Sequence, residues 1–232
     1  VALIHEVLPE MDTSASATLL LSSAPELRRV VVFEGQAGKG ETDSDAFLAA
    51  GATVDIGHVH AASERVSVRD IGIIMYTSGT TSSPKGAMLS HGNMLSNAVM
   101  LKDYWGWKPG DVLIHALPIF HVHGLFVAIH GALINGSKMI WLAKFDHKIV
   151  IAKMPEATVF MGVPTLYVRM LAEPSLTKAQ ASNMRLFVAG SAPLLLETFN
   201  EWQARVGQPI LERYGMSDLL ILLIDAIEQF KR

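Results

Sequence analysis

From Val112 to Ser137 the chain carries no formally charged side chain. A run of that length either crosses a bilayer or lies wholly inside a fold. Pro118, Gly124, Gly131 and Gly136 interrupt it, together with four histidines, His115, His121, His123 and His130. Those interruptions disfavour one lipid-spanning helix. The run reads instead as a buried strand followed by a buried helix, and no membrane span is expected.

Composition agrees with a buried core. Half of the 232 residues are hydrophobic and the formal net charge is −3, which supplies apolar surface in quantity and no basic footprint for nucleic acid. With no cysteine, a disulfide framework, a thiolate nucleophile and a thiolate metal site are all excluded. The first residues, Val1 to Glu6, have no basic segment ahead of an apolar one, so they do not read as a signal peptide. A cytoplasmic protein is the expectation, and the missing initiator methionine suggests a processed or excised chain.

Along the chain, strand-like and helix-like segments alternate. Residues 1–66 are weakly patterned: Arg29 to Glu34 reads as a strand, Gly35 to Gly40 as a turn, Asp43 to Ala50 as a short helix, and Val54 to Val59 as another strand. Ile71 to Tyr76 reads as a buried strand running into a Gly/Ser/Thr loop. Ser90 is placed to cap a helix reaching toward Tyr104. Strands are then expected at 111–117, 138–142, 157–163, 185–189 and 209–213, with helices at 121–134, 165–172 and 193–206. Leu195, Phe199, Trp202 and Val206 share one face of the last helix and predict core. The pattern predicts an α/β fold, a largely parallel sheet with helices on both faces. Ligands gather beyond the carboxyl ends of such strands. The loop after Tyr76, Pro118 to His121, Gly190 to Pro193 and Tyr214 to Asp218 all follow strands and should meet at one edge.

The loop Thr77-Ser78-Gly79-Thr80-Thr81-Ser82-Ser83-Pro84-Lys85-Gly86 is the first candidate site. Glycines let successive amides converge on an anion, hydroxyls add donors, and Lys85 adds a point charge suited to phosphate. The same composition also makes an ordinary solvated turn, and the order of residues is not that of a Walker A loop. His121 and His123, with His130 beyond, offer two or three metal ligands, but no convincing further ligand accompanies them. The alternative is a pair of histidines satisfied at a helix start. Gly190-Ser191-Ala192-Pro193 reads as a strand–turn–helix junction with proline in the first turn.

Taken together, Tyr76 to Gly86, the Pro118 to His121 segment, Gly190-Ser191-Ala192-Pro193-Leu194 and Tyr214-Gly215-Met216-Ser217-Asp218 resemble the adenylate-forming superfamily of acyl-CoA synthetases, luciferases and adenylation domains. Within it, the segments around His115 to Asp146 and Met161 to Met216 look most like malonyl-CoA synthetases. The resemblance implies that ATP is held by Thr77, Ser78, Gly79, Thr80, Thr81 and Lys85, by Gly190, Ser191 and Ala192, and by Tyr214, Gly215, Met216 and Ser217. It implies an acid pocket formed by His121, Arg169, Ser191, Arg213 and Met216, with the two arginines facing the second carboxylate of a dicarboxylic acid. His121, Ser217 and Asp218 are the implied catalytic set, with Asp218 on Mg²⁺. Ser217 and Asp218 stand where the family has threonine and glutamate. The shorter carboxylate alters the reach to a metal that demands near-octahedral geometry.

The implied chemistry has two steps: a small-molecule carboxylate attacks the α-phosphate of ATP, and coenzyme A then displaces AMP. After Asp218, no later family motif for the ribose, no hinge and no C-terminal domain is recognised. The expected organisation is a front part, 1–66, an AMP-binding core, 67–218, and an aliphatic tail, 219–232. Two functions follow: an acid–CoA ligase in truncated form, inactive alone, or a non-catalytic module binding a nucleotide or a partner. The aliphatics of 219–224 also suggest self-association.

Overall fold

The computed structural model describes residues 2–14, 18–77, 83–215 and 223–224. The chain divides into two compact units, Val1–Val66 and Ser67–Arg232.

The first unit is built on a small core of Met11, Leu19 and Leu21, with Ile4, Leu8, Leu27 and Val30 packed against it. Helix α1 (Ala2–Val7) and a 3-10 turn at Pro9–Thr13 precede a parallel pair of two-residue strands, β1 (Val31–Val32) and β2 (Thr42–Asp43). His5 ties these segments together, with one ring nitrogen 2.7 Å from Asp12 and the other 3.0 Å from Glu41. Asp43 caps helix α2 (Ser44–Gly51) by accepting from the Asp45 and Ala46 amides, and Asp55 caps helix α3 (Ile56–Glu64) through the Gly57 amide. The strand expected at Val54 to Val59 is therefore a helix start. A carboxylate that satisfies an otherwise orphaned amide outweighs the β preference of three branched side chains.

In the second unit, β3 (Ile71–Thr77) and β4 (Lys85–Ser90) form an antiparallel hairpin of their own. Ser90 and Asn93 make a reciprocal capping box that starts α4 (His91–Tyr104). The chain then lays down β5 (Val112–His115), a π-helix (His123–Ile129) continued by α5 (His130–Asn135), and β6 (Lys138–Trp141). Next come α6 (His147–Lys153), β7 (Val159–Gly162), α7 (Pro164–Leu171), β8 (Leu186–Ala189), α8 (Leu196–Val206) and β9 (Ile210–Tyr214). The spatial order is β6-β5-β7-β8-β9, all parallel, with a final short strand β10 (Leu223–Ile224) antiparallel to β9.

Alternate residues of the central strands feed two cores, as a strand's period of two requires. Ile114, Phe160 and Phe187 face α6, α7 and α8, joining Val150, Tyr167, Met170 and Trp202. Leu113, Val159, Met161 and Val188 face Leu101, Trp105, Trp107, Val127 and Ala132 on the other side. Helices thus cover both faces, which explains why β7 and β8 are apolar throughout. Around Trp202 the rings of Tyr167 and Phe187 pack edge-on, at 4.9 and 5.0 Å between centroids. The Tyr167 hydroxyl donates to the Val188 carbonyl at 2.7 Å.

Several expectations change. β3 is a strand but not a buried one: Ile74 and Tyr76 are exposed, while Ile73 and Met75 pack on Leu89, Val122 and Phe126. The hairpin is also no part of the parallel sheet, and Lys85 and Gly86 belong to β4 rather than to a loop. The helix expected at 121–134 begins as a π-helix, and α6 went unrecognised because His147 to Lys153 is a short segment. Leu195 is exposed at the N-cap of α8, whereas Trp202 and Val206 are buried. Leu223 and Ile224, placed by sequence in an unpatterned tail, pair with Tyr214 and Arg213 of the same chain, which gives self-association no support.

At the amino ends of the strands lies a buried clamp. Asp111 accepts from Arg185 through two donors, from the Thr158 hydroxyl at 2.8 Å and from the Lys108 amide at 2.6 Å. Burial alone would raise its pKa, but the Arg185, Lys108 and Thr158 bonds outweigh it and hold the carboxyl below the ordinary value of 3.8. A depressed carboxyl adds stability above its unfolded pKa and loses that contribution as pH falls through the folded one. Asp111→Asn should therefore lower stability by about 2–3 kcal/mol at neutral pH, Arg185 being partly solvated. Urea midpoints should converge for the two proteins below about pH 4.

Candidate functional site

Because β5, β7, β8 and β9 are parallel, the residues that leave them emerge at one edge. Ala189 pairs with Glu212, which sets Gly190–Ser191 beside Arg213–Tyr214. A cavity of about 520 Å³ opens at this edge. Its walls come from Ala116 to Pro118 after β5, His121, His123 and Gly124 at the π-helix, Ala143 to Phe145 after β6, Val163 and Leu166 at α7, and Ser191. That volume suits a small ligand, and a mostly apolar wall with a few converging polar groups is usual for such sites.

Each polar group has a traceable local cause. Gly124 makes the wall: a Cβ there would lie 2.2 Å from the Pro118 carbonyl oxygen, so only glycine lets the π-helix close on the exit of β5. Ser191 sits at φ +70°, in the left-handed region that side-chain-bearing residues seldom adopt. Its hydroxyl is 3.4 Å from His123 Nδ1. His123 is 2% exposed, and burial, then the charge of Arg213, hold its pKa well below the ordinary value, so its ring is neutral. His115, at the end of β5, is also buried and kept neutral by that burial, with its ring 4.5 Å from Trp141.

Arg213 is the electrostatic centre. It is 6% exposed, and its Nε has no hydrogen-bond partner among the described residues. Burial lowers its pKa to about 10, so it remains a cation at neutral pH. The side chain lies across Gly190, where a Cβ would meet its Cγ and Nε at 2.9 Å. A buried guanidinium nitrogen with no acceptor is costly, and an anionic ligand that accepted from the Arg213 Nε would remove that cost. Arg169 is exposed, its guanidinium 5.0 Å from the centre of the Phe145 ring that lines the cavity.

Of the residues singled out from sequence, the cavity brings together His121 and Ser191, with Arg213 adjacent and Arg169 at the rim. His121 is exposed, and the buried member of the pair is His123, which the sequence offers as a metal ligand or as a histidine satisfied at a helix start and not as part of the acid pocket. Gly190 is buried while Ser191 and Ala192 are exposed. Tyr214 is exposed at the end of β9, followed by Gly215. Thr77 and Lys85 pair across the mouth of the hairpin. Ser78, Gly79, Thr80, Thr81, Met216, Ser217 and Asp218 lie outside the described residues. Among the described residues no cluster of three or more metal-ligating side chains occurs, and no helix is long and apolar enough to cross a membrane.

This arrangement defines an α/β domain with a mostly apolar cavity at the carboxyl edge of its parallel sheet. The family model described as AMP-binding enzyme matches residues 2–230, and the chain belongs to that family. The match is wider than the 67–218 segment that carries the recognisable motifs. The mitochondrial malonate–CoA ligase ACSF3 of Mus musculus is 33% identical over 178 residues, 69% of this chain and 30% of that protein. ATP-bound MatB from Rhodopseudomonas palustris is 47% identical with a TM-score of 0.65, covering 76% of this chain and 36% of that one. A malonyl-CoA ligase complex holding methylmalonyl-CoA and AMP is 36% identical with a TM-score of 0.61, covering 65% of this chain and 34% of that one. The chain thus spans about a third of the length of these relatives.

Gly124→Ala tests the cavity wall. Two backbone atoms of Pro118 lie within 2.9 Å of the added methyl, and neither can rotate away. The variant should lose about 2–3 kcal/mol in urea unfolding.

Proposed function

We propose that the chain forms the acid- and nucleotide-binding part of an ATP-dependent acid–CoA ligase acting on a small dicarboxylate of the malonate type. The observation that carries this reading is Arg213, a buried guanidinium beside the cavity with no partner for its Nε among the described residues. A monocarboxylic acid needs no second cation once its reacting carboxylate meets the phosphate. A dicarboxylate brings another charge, and a guanidinium matches a carboxylate through two parallel hydrogen bonds. Arg169 supplies a further cation at the rim.

In this reading one oxygen of the acid attacks the α-phosphorus of ATP, and the bond to the β,γ-diphosphate breaks. Pyrophosphate leaves and an acyl-adenylate remains. The coenzyme A thiol then adds to the acyl carbon, losing its proton, and AMP departs. No side-chain nucleophile is needed, so the chain contributes position and charge. The exposed ring of Tyr214 and the backbone of Gly190 to Ala192 offer a surface for adenine. Thr77 and Lys85, with Ser78, Gly79, Thr80 and Thr81, serve the phosphates. By the family resemblance, Ser217 would serve the α-phosphate, Asp218 would hold Mg²⁺, and Met216 and His121 would serve the acid. The relatives' ATP and acyl-CoA ligands support this assignment.

Calorimetry on the chain tests the reading. Malonate should bind about tenfold more tightly than propionate, and Arg213→Gln should erase that difference. Lys85→Ala should weaken Mg-ATP by a similar factor and leave malonate unchanged. Equal binding of the two acids, unaltered in the Arg213 variant, would remove the dicarboxylate from the proposal.

A further inference from the structure

Two unfavourable local features meet at one contact in the cavity. The first is the π-helix, an uncommon turn that is often found at functional sites. It seats His123 in the wall and needs the glycine that follows. The second is the left-handed backbone of Ser191, unique among the described non-glycine residues. Such strain persists where the surroundings over-determine it, typically at ligand sites. Between them runs the 3.4 Å approach of His123 Nδ1 to Ser191 Oγ. Bonds of this kind are commonly long without ligand and tighten when one is bound.

The contacts of its two ring nitrogens decide the tautomer of His123. The charges of Arg213 on β9, of His121 in the same segment and of His115 at the end of β5 all disfavour a protonated ring. A neutral ring has one donor nitrogen and one acceptor nitrogen. Arg213 only donates, and its Nε lacks an acceptor, as does His123 Nε2 lack a partner, among the described residues. An Nε2–H would bury a donor with no acceptor among the described residues, whereas an unused lone pair there costs less. An Nδ1–H leaves that lone pair at Nε2 and sends its proton to Ser191.

We infer that His123 is a positioning residue of the cavity, which as the neutral Nδ1–H tautomer donates to Ser191 Oγ and so turns the Ser191 proton toward an oxygen of the bound acid. A serine oxygen that accepts from a fixed donor has its own hydrogen free to donate. Serine and Arg213 would then address the same carboxylate from adjoining strand ends. The inference rests on the acid-binding reading above and adds a residue to it.

Two measurements on the chain test it. In the imidazole ¹⁵N spectrum between about pH 5 and 8, one ring should stay neutral in the Nδ1–H form. It should vanish in His123→Asn and lose its fixed tautomer in Ser191→Ala. A His123 ring that titrates in this window, or that holds its proton on Nε2, overturns the inference. In calorimetry, His123→Leu should weaken malonate about tenfold and propionate far less. His123→Asn, whose amide nitrogen falls near Nδ1, should recover malonate binding to within about threefold, provided its amide spectrum shows an intact fold. Equal losses for both acids, or none, also overturn it. If the unaltered chain binds neither acid, the acid-binding reading falls, and the imidazole spectrum decides the Ser191 contact separately.

Discussion

The clamp of Asp111, Thr158 and Arg185 sets the register on which the rest depends. One buried carboxylate gathers donors from three places: the turn before β5, the residue before β7 and the residue before β8. The Thr158 carbonyl also accepts from the Arg185 and Leu186 amides, so the starts of these strands are locked together. Parallel strands fixed at one end must deliver their other ends to a common edge. The position of the cavity is therefore a consequence of polar chemistry at the far end of the sheet.

Between clamp and cavity lies a core with two faces. Strand residues alternate between the Trp202 side and the Trp107 side, and a one-residue slip would exchange the two sets. The edge-packed rings of Tyr167, Trp202 and Phe187 resist such a slip, because their geometry is directional. Tyr167 adds a buried hydrogen bond to the β8 backbone just before Gly190 and Ser191. The rigid core thus ends two residues short of the exposed functional edge.

At that edge the balance reverses. Ser191 is strained, Arg213 is a desolvated charge, and His115 and His123 are buried rings with unpartnered nitrogens among the described residues. Each costs folding free energy that the two cores offset. Local disagreement of this kind, inside an otherwise consistent fold, is where a functional or strained site is expected.

From β5 to β9 the sequence by itself determined the order of strands and helices apart from α6, because apolar runs and capping residues are local signals. Ser90 began a helix, Gly136 ended one, and the uncharged run became a strand and a helix pressed together. The motif at 190–193 and Arg213 could be placed at strand ends by counting alone. Local signals could not separate His121 from His123: both stand in the same run, and a π-turn closed by Gly124 buries only the second. Nor could they show that β3 pairs outside the parallel sheet, that Asp55 turns a branched segment into a helix, or that Arg213 lies against Gly190. Those outcomes depend on contacts between residues distant in the chain, whose energies exceed any single residue's preference, so only the tertiary structure decided them.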